Sequence, residues 1–518
     1  MRPSINHIRY PLSFILIMII TSCTNDNNQY DKVKTNQGFV SGIRNTTGDV
    51  YIFKGVPFAA PPVGDLRWKE PQPGIPWDGV RLCDTWPASP IQNEPVPFMM
   101  WTQEFITPSE PLSEDCLYLN IWTPANSTKE KLPVLVWIHG GGFTSGSGAC
   151  DVYDGEALAQ QGIVFVSINY RLGIFGFMAH PELTAESHHQ ASGNYGLMDQ
   201  QAALRWIQKN ITAFGGDPSR VTIAGQSAGS MSVNALVASP LSKGLMHGAI
   251  AQSGGMLSDR FSKSLPEAEA IGIDIMQSLK LSGIEDLRKI SADSLLIIGS
   301  TLSFGSFGPI VDGYVLPDRV YNILRTKQHN QMPMMSGWVT GDSDLFAGEP
   351  PTAASFTAFA KETYGENADE FLTIFSSNTN EEANNAKRKL DLMDFAGYPS
   401  FIWSQVNDNT TYLYQFSHVP TDKPNFPNYG AFHTSEVPYA LHTLKLWDRP
   451  WQERDYEMEK IMSTYWVNFI KTGNPNGADL PEWKPYTRET GNILEFNEGA
   501  TLKPGMYKSE FEVLNKKY

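Results

Sequence analysis

One five-residue segment constrains the fold of this chain more than any other. Gly225-Gln226-Ser227-Ala228-Gly229 follows the short apolar run 221–224 and precedes a helix-like stretch at 228–238. A serine in a tight strand-to-helix turn is strained, and only small residues fit two positions to either side of it. Such a turn exposes the hydroxyl above the C-terminal edge of a sheet, where the helix N-terminus favours negative charge. The segment therefore predicts an α/β fold with Ser227 as a nucleophile.

Apolar runs bounded by glycine or proline alternate with helix-like stretches along the rest of the chain. The clearest predicted strands are residues 132–138, 163–168, 221–224, 249–251, 332–335 and 412–416, and the clearest helices are 201–214, 228–238 and 456–470. Residues 38–97 are rich in glycine and proline, which indicates loops and short antiparallel strands at a sheet edge. Helical segments prevail between 258 and 410. We expect a large central, mostly parallel, twisted sheet with helices on both faces and helical excursions over its C-terminal edge.

The N-terminus has the pattern of a targeting segment. Arg2 and Arg9 precede an apolar run at 12–20 that is too short to cross a bilayer. The run ends in Ile20-Thr21-Ser22-Cys23, which resembles the bacterial lipobox, in which the cysteine carries lipid. Cleavage after a nearby small residue is the alternative. We predict a signal peptide at 1–22, a lipidated Cys23 with a polar tether at 23–35, and a single domain at 36–518, because no Pro/Gly/Ser linker divides that stretch.

This reading predicts an exported protein, held in the cell envelope of a bacterium by its N-terminal lipid, on the periplasmic side or at the cell surface. The formal net charge of the whole chain is −15. A chain this acidic is poorly suited to gripping phosphate backbones, so we expect no nucleic-acid partner.

A glycine run lies at the end of the predicted strand 132–138. His139-Gly140-Gly141-Gly142 precedes the serine turn along the chain. Acyl transfer creates an oxyanion that needs backbone N–H donors, and glycine lets the backbone approach a substrate closely. We therefore predict an oxyanion hole formed by the N–H groups of Gly141, Gly142 and Ala228.

A nucleophilic serine needs a base, and the base needs an acid that orients it. In the predicted fold the chain order is serine, acid, histidine. The histidines after Ser227 are His247, His329, His418, His433 and His442. Of these, His433 lies in a loop after the strand 412–416, which suits a base. Asp342 and Asp344 both follow the strand 332–335, and the residues alone do not separate them.

Taken together, these segments resemble the type-B carboxylesterase/cholinesterase family of the α/β-hydrolase superfamily. The family's serine signature matches FGGDPSRVTIAGQSAG at 214–229, and its second signature matches EDCLYLN at 114–120. Further blocks match at 53–59, 61–64, 169–173 and 473–476. The resemblance covers nearly the whole chain after the tether, and it implies an α/β-hydrolase fold.

The resemblance separates the two acids and supports the base. Gly337 and Phe346 frame Asp342 in the slot of the family's acid, which is usually glutamate, and Asp344 stays as the alternative. The family's histidine block matches residues 430–439 and supports His433. Ser253 falls where the family often has a serine that hydrogen-bonds the acid. Gln226 replaces a frequent glutamate, which implies weaker attraction for cationic substrates.

Other features of the family are structural. The resemblance implies a disulfide between Cys83 and Cys116, which leaves Cys150 free, and a salt bridge between Glu114 and Arg171. The residues enclosed by that disulfide include a set of large apolar side chains that either line one wall of a gorge on the alcohol side of the substrate or pack against the protein: Trp86, Phe98, Met99, Met100 and Trp101.

The resulting prediction is a carboxylesterase that acts through a Ser227–His433–Asp342 triad and an acyl-enzyme intermediate. The expected substrates are small or aromatic and alkyl esters, and the chemistry requires no metal and no organic cofactor. A cell-surface deacetylase or feruloyl esterase acting on polysaccharide is an alternative. A non-catalytic adhesion module is a further alternative, disfavoured because all three triad residue types are present.

Overall fold

The computed structural model describes residues 32–257, 263–346 and 348–517. The predicted signal peptide and the predicted lipidation site at Cys23 lie outside these described residues. Sixteen strands are present in the described chain: β1 (Val33–Lys34), β2 (Phe39–Ser41), β3 (Ile43–Arg44), β4 (Tyr51–Pro57), β5 (Val80–Leu82), β6 (Ser89–Pro90), β7 (Leu112–Ser113), β8 (Tyr118–Thr123), β9 (Leu132–Ile138), β10 (Val164–Ile168), β11 (Gly216–Gln226), β12 (Gly248–Gln252), β13 (Met334–Val339), β14 (Thr411–Phe416), β15 (Ile493–Phe496) and β16 (Ala500–Lys503).

The same residues form sixteen α-helices: α1 (Glu156–Gln160), α2 (Gly173–Phe177), α3 (Pro181–Glu186), α4 (Tyr195–Asn210), α5 (Ala228–Ala238), α6 (Leu265–Ser278), α7 (Ile284–Arg288), α8 (Ala292–Ser300), α9 (Val320–Arg325), α10 (Ala353–Tyr364), α11 (Ala368–Ile374), α12 (Asn380–Leu392), α13 (Tyr398–Val406), α14 (Val437–Leu441), α15 (Glu453–Thr472) and α16 (Lys508–Leu514). None of these helices is both long enough and apolar enough to span a membrane, a finding confined to the described ranges.

Eleven strands form one sheet in the order β16-β15-β14-β13-β12-β11-β9-β10-β8-β4-β3. The pairings from β10 through to β15 are all parallel. Antiparallel strands complete both edges, with β8, β4 and β3 at one edge and β16 at the other. The mostly parallel sheet predicted from the apolar runs is confirmed, and the antiparallel strands do lie at its edges.

Burial on both faces explains why the central strands read as continuous apolar runs. Along β9, Val134 and Val136 belong to one apolar cluster, whereas Leu135 and Trp137 belong to another. Successive side chains of a strand point to opposite faces, so the two clusters lie on the two sides of the sheet. The first cluster includes side chains of α4 and α5, and the second includes side chains of α14 and α15.

Several predicted boundaries differ from the observed ones by a few residues. Helix α5 has the predicted bounds, but α4 begins earlier, at Tyr195, and residues 211–214 form a 3-10 turn. Strand β13 begins at Met334 and continues to Val339. Helices α6 to α9 connect β12 to β13, and α10 to α13 connect β13 to β14, which are the predicted helical excursions.

The predicted disulfide between Cys83 and Cys116 is not formed in this structure. Both cysteines are free buried thiols, as is Cys150. Cys83 O accepts from Lys54 N–H of β4, whereas Leu117, the residue after Cys116, accepts through its carbonyl from Phe58 N–H just beyond the end of β4. Cys116 instead faces a small cavity that it shares with Pro90 and Arg171, and burial raises the pKa of the Cys83 thiol to about 12.

The implied salt bridge between Glu114 and Arg171 is also wrong. The guanidinium of Arg171 pairs with the buried Asp199 of α4 at 2.7 Å, and the backbone N–H of Arg171 donates to the same carboxylate. Glu114 pairs with Arg67 at 2.6 Å. Each charge therefore has its own buried partner, so these residues form two ion pairs where the resemblance implied one.

Candidate active site

Ser227 occupies the turn between β11 and α5, as the sequence pattern predicts. Its backbone has φ +59° and ψ −124°, a strained conformation that the surroundings must hold in place. A Cβ at Gly225 would lie 2.5 Å from a backbone atom of Gly229, and a Cβ at Gly229 would lie 2.1 Å from Ile138 O. Larger residues therefore cannot replace either glycine without moving the strand. The N–H of Ser227 donates to Gln252 O at 2.9 Å, which ties the turn to the end of β12.

The glycine run after β9 lies directly against this turn. A Cβ at Gly140 would lie 3.1 Å from Ser227 Cβ. Gly141 and Gly142 have φ values of +107° and +61°, which side chains rarely adopt. In the described part of the chain, the N–H groups of these two glycines donate to no protein acceptor. Ala228 is the first residue of α5, so its N–H has no acceptor within the helix. Three backbone donors are thus available around Ser227.

His139 holds this loop in place and is not itself a base. Its side chain is fully buried, its ring stacks on Tyr170 with a centroid distance of 4.4 Å, and the Tyr170 hydroxyl donates to His139 O at 2.9 Å. Burial lowers the pKa of His139 to about 4. The ring is therefore neutral at pH 7, and its Nδ1 lies 2.9 Å from Gly140 O, where an N–H can donate.

The structure joins His433 to Asp342. His433 Nδ1 lies 2.6 Å from Asp342 Oδ1, and the second oxygen of Asp342 accepts from Val339 N–H at 3.0 Å. Both side chains are buried, Asp342 completely. Asp342 follows β13 and His433 follows β14, and a hydrogen bond from Gly341 N–H to Ala431 O holds the two loops together at 2.9 Å.

Gln226 connects this pair to the serine turn. Its amide nitrogen lies 3.1 Å from His433 Nε2, and Ser227 is the next residue in the chain. Within the described residues the polar partners of the imidazole are Asp342 and Gln226, so the ring is not hydrogen-bonded to Ser227 Oγ in this structure. Catalytic hydrogen bonds are often loose in the absence of substrate and tighten when it binds.

Asp344, the alternative acid, points away from the imidazole. Its carboxylate is partly exposed and pairs with Arg388. The other downstream histidines have separate environments as well. His418 bonds to Asp455 at 3.0 Å, His329 packs against Trp403, and His442 lies 3.8 Å from Glu459. The structure thus distinguishes residues that sequence order alone did not.

Ser253 lies close to this pair but bonds to a different acid than predicted. Its hydroxyl donates to Glu436 Oε1 at 3.3 Å, and its N–H donates to Gly337 O. The expectation that Ser253 hydrogen-bonds the acid at Asp342 is therefore wrong. Glu436 is completely buried three residues after His433. Sequence reasoning missed Glu436, and the only signal was its place in the histidine block.

Apolar side chains lie close to His433 and Gly142. The ring of Trp101 stands edge-on to His433 at 6.4 Å, and its N–H donates to Thr434 Oγ1 at 2.8 Å. On the other side, a Cβ at Gly142 would lie 2.7 Å from the ring of Phe304, which is 76% exposed. Phe395 contacts His433 from a third direction, with a ring distance of 5.8 Å.

The apolar side chains between Cys83 and Cys116 divide between the two predicted roles. Trp101 contacts the imidazole, and Phe98 and Met99 are more than half exposed beside it. Met100 is buried, and Trp86 packs on Trp122 with a ring distance of 6.0 Å. We call Phe98, Met99, Trp101 and Phe304 the apolar rim. No group of three His, Cys, Asp or Glu side chains in the described ranges is arranged to hold a metal ion.

Comparison with known proteins identifies the family. The family model described as the Carboxylesterase family matches residues 29–514. Fumonisin B1 esterase of Sphingopyxis macrogoltabida is 34% identical over 91% of this chain and 87% of its own length. Liver carboxylesterase of Sus scrofa is 36% identical over 89% of this chain and 88% of its own. Among solved structures, a PNB esterase superposes with a TM-score of 0.80 at 30% identity, covering 94% of this chain and 99% of that one. The chain therefore belongs to the carboxylesterase family and is an ester hydrolase with the α/β-hydrolase fold.

Proposed function

We propose that this carboxylesterase hydrolyses esters of apolar acids and alcohols by acyl transfer to Ser227. The observation that carries the proposal is the buried contact of 2.6 Å between His433 and Asp342, placed by Gln226 against the strained serine turn. A nucleophile, a base and an acid that orients the base are the three parts that this chemistry requires.

The first half of the cycle forms the acyl-enzyme. With its Nδ1–H donated to Asp342, the imidazole keeps a lone pair on Nε2, which accepts the proton of Ser227. The serine oxygen attacks the ester carbonyl and forms a tetrahedral oxyanion. The C–O bond to the alcohol then breaks, and the alcohol leaves with the proton held on Nε2.

The second half repeats these steps with water. A water molecule gives its proton to Nε2 and attacks the acyl carbon, and the acid product leaves as Ser227 regains its proton. In both halves the N–H groups of Gly141, Gly142 and Ala228 would hold the oxyanion. Each such donor typically contributes about 3–4 kcal/mol to stabilising the transition state.

Covalent labelling tests the nucleophile directly. A fluorophosphonate transfers its phosphonyl group to an activated serine and releases fluoride. We expect one label per chain, on the peptide that contains Ser227, and loss of p-nitrophenyl butyrate hydrolysis in proportion to labelling. A label on another serine, or full activity after complete labelling, would contradict the proposed nucleophile.

The apolar rim supports the substrate class. Its two sides are carried by segments 92–101 and 300–308, which are joined by a hydrogen bond of 2.8 Å from Ser300 Oγ to Asn93 Oδ1. The Phe98 ring packs on Trp101 in a tilted orientation, with a ring distance of 4.7 Å, on one side, and Phe304 lies over Gly142 on the other. Large apolar side chains exposed at a site favour apolar ligands, because binding removes their surface from water.

Shortening Phe304 tests this substrate class. We expect Phe304→Ala to lower kcat/KM for p-nitrophenyl octanoate by about tenfold, since removal of the ring forgoes roughly 1–2 kcal/mol of apolar contact. Hydrolysis of p-nitrophenyl acetate, whose acyl group offers little apolar surface to the ring, should change by less than about twofold.

The matched control for Phe304→Ala is Phe359→Ala. Phe359 is a 40% exposed residue of α10 that packs on Phe356 and Phe371. Its removal should leave the ratio of octanoate to acetate turnover unchanged. Equal losses with both esters in Phe304→Ala would show a general disturbance of the glycine loop, and the proposed role of the rim would then be wrong.

A further inference from the structure

We propose that Glu436 keeps its proton at neutral pH, so that Asp342 is the only negative charge facing His433. This inference rests on the proposed function for its catalytic meaning, although the protonation itself can be measured without turnover. Glu436 acts through its neighbours and not on the substrate, so it is a positioning residue.

The first argument is the poor solvation of the Glu436 carboxyl. Its side chain is completely buried, and the one direct hydrogen bond to its carboxyl in the described chain is from Ser253 Oγ to Oε1, at 3.3 Å. The backbone N–H of Glu436 and the Gln252 amide also favour the charged form, but less than burial disfavours it. The other oxygen, Oε2, has no direct hydrogen-bond partner among the described residues. An ionised carboxylate so poorly hydrogen-bonded is costly in such a place, whereas a neutral carboxyl leaves only a polar atom unpaired.

The second argument is the set of titratable groups that face Glu436. Asp342 approaches from the loop after β13, Tyr414 from β14 and Tyr153 from the turn before α1, and His433 lies in the same loop. No lysine or arginine pairs with Glu436 in the part of the chain that the structure describes. Burial, and after it the charge of Asp342, raises the pKa of Glu436 to about 8.

The third argument decides which of the two acids holds the proton. Asp342 has a contact of 2.6 Å to His433 Nδ1 and a backbone N–H on its other oxygen, so its charge is well stabilised. Glu436 has one direct hydrogen bond, the long one from the Ser253 hydroxyl, with weaker support from the Gln252 amide and its own backbone N–H. When two buried carboxyls repel each other, the proton resides on the one that is less well solvated. Glu436 is therefore the neutral partner.

The consequence for the reaction concerns the charge around the base. A second carboxylate beside Asp342 would favour the imidazolium over the neutral imidazole, and only the neutral ring can accept the proton of Ser227. Gln226, the other side chain that reaches the ring, is an uncharged amide. Both neighbours that could have carried extra negative charge are thus neutral.

The test is Glu436→Gln, which keeps the shape of a neutral carboxyl. We expect the acid limb of the kcat/KM profile for p-nitrophenyl butyrate to shift by less than about 0.3 pH unit. An ionised Glu436 predicts instead a downward shift of that limb by at least about one pH unit, because the variant would remove a negative charge that favours the imidazolium. That larger shift would overturn the proposal.

Infrared difference spectra supply a readout that does not depend on activity. Wild type minus Glu436→Gln at pH 7 should show the C=O stretch of a protonated carboxyl group, and wild type minus Asp344→Asn should not, because Asp344 is ion-paired. If Glu436→Gln does not fold, the same band should disappear when the wild-type protein is titrated from pH 7 to a pH well above 8. If the band is absent at pH 7, the proposal that Glu436 is protonated is overturned, whether or not the protein is an active esterase. If the band is present but the enzyme is inactive, the proposed catalytic mechanism is wrong and the protonation of Glu436 stands.

Thermal unfolding gives a further check with a defined sign. The pKa of Glu436 is higher in the folded chain than in the unfolded one, so the folded state binds more protons between the two values. Wild-type stability should therefore fall, relative to Glu436→Gln, as pH rises from about 4.5 to about 8, and the Tm difference should be constant above that. If the Tm of the wild type does not fall relative to that of Glu436→Gln between these two pH values, the proposal that Glu436 holds a proton would be contradicted.

Discussion

Replacing Ser227 with alanine is expected to lower kcat for p-nitrophenyl butyrate by at least about 10⁴-fold, since losing the nucleophile of a triad typically costs that much or more. Alanine should be tolerated at φ +59° as well as serine is, because neither side chain is branched. The fold should therefore persist, with a Tm close to that of the wild type. The measurement is single-substrate kinetics on the purified variant, with far-ultraviolet circular dichroism to verify folding.

The matched control for this prediction is Ser219→Ala. Ser219 is exposed, and its hydroxyl bonds only to the neighbouring Asp217 at 2.6 Å. Its loss should leave kcat unchanged within about twofold. If Ser227→Ala keeps more than about 1% of wild-type activity, a different group must attack the ester, and the whole proposed cycle would have to be abandoned.

The parts of this molecule that the sequence predicts well are those whose cause is local or repeated. The turn at Ser227 follows from two glycines and the strand and helix beside them, and the structure shows the contacts that exclude larger residues there. The central strands are buried on both faces, so their apolar runs were visible without a structure. The fold class and the serine turn could therefore be predicted from the residues.

What the sequence does not predict depends on which strands meet and in what register. Cys83 and Cys116 match the family's disulfide in sequence order, but whether two cysteines meet depends on how the segments around them pack, and both are free here. Asp342 and Asp344 are two residues apart, and only the 3-10 turn that holds them, at 342–346, directs one carboxylate to His433 and the other to Arg388. Phe304 lies in a loop with no periodicity, so nothing local indicates its contact with Gly142.

Glu436 is another residue whose environment could not be predicted from the sequence. A glutamate in a polar loop is normally exposed, but Glu436 is completely buried, with Ser253 from the end of β12 and Tyr414 from β14 beside it. Its protonation depends on the charge of Asp342 on another loop. Electrostatic properties of this kind belong to the assembled site and are not encoded in any one segment.

Replacing Asp342 with asparagine is expected to reduce kcat for p-nitrophenyl butyrate by about 10⁴-fold while leaving KM nearly unchanged. The amide keeps the shape of the carboxylate, but it carries no charge to stabilise the imidazolium. Its NH₂ group facing His433 Nδ1 would also favour the tautomer with the proton on Nε2, which cannot accept a proton from Ser227. The variant should be measured by steady-state kinetics across the pH range, because loss of the carboxylate removes the charge that stabilises the imidazolium.

Asp344→Asn is the control that makes this result decisive, because it is the same chemical change two residues away. Asp344 is partly exposed and pairs with Arg388, and such surface ion pairs contribute at most about 1 kcal/mol to stability. We expect its kcat and KM to stay within about twofold of wild type. The reverse outcome, a large loss in Asp344→Asn and a small one in Asp342→Asn, would assign the orienting acid to Asp344. Large losses in both variants would indicate that the loop after β13 must be intact as a unit, because its backbone bond from Gly341 to Ala431 holds the loop of His433 in place.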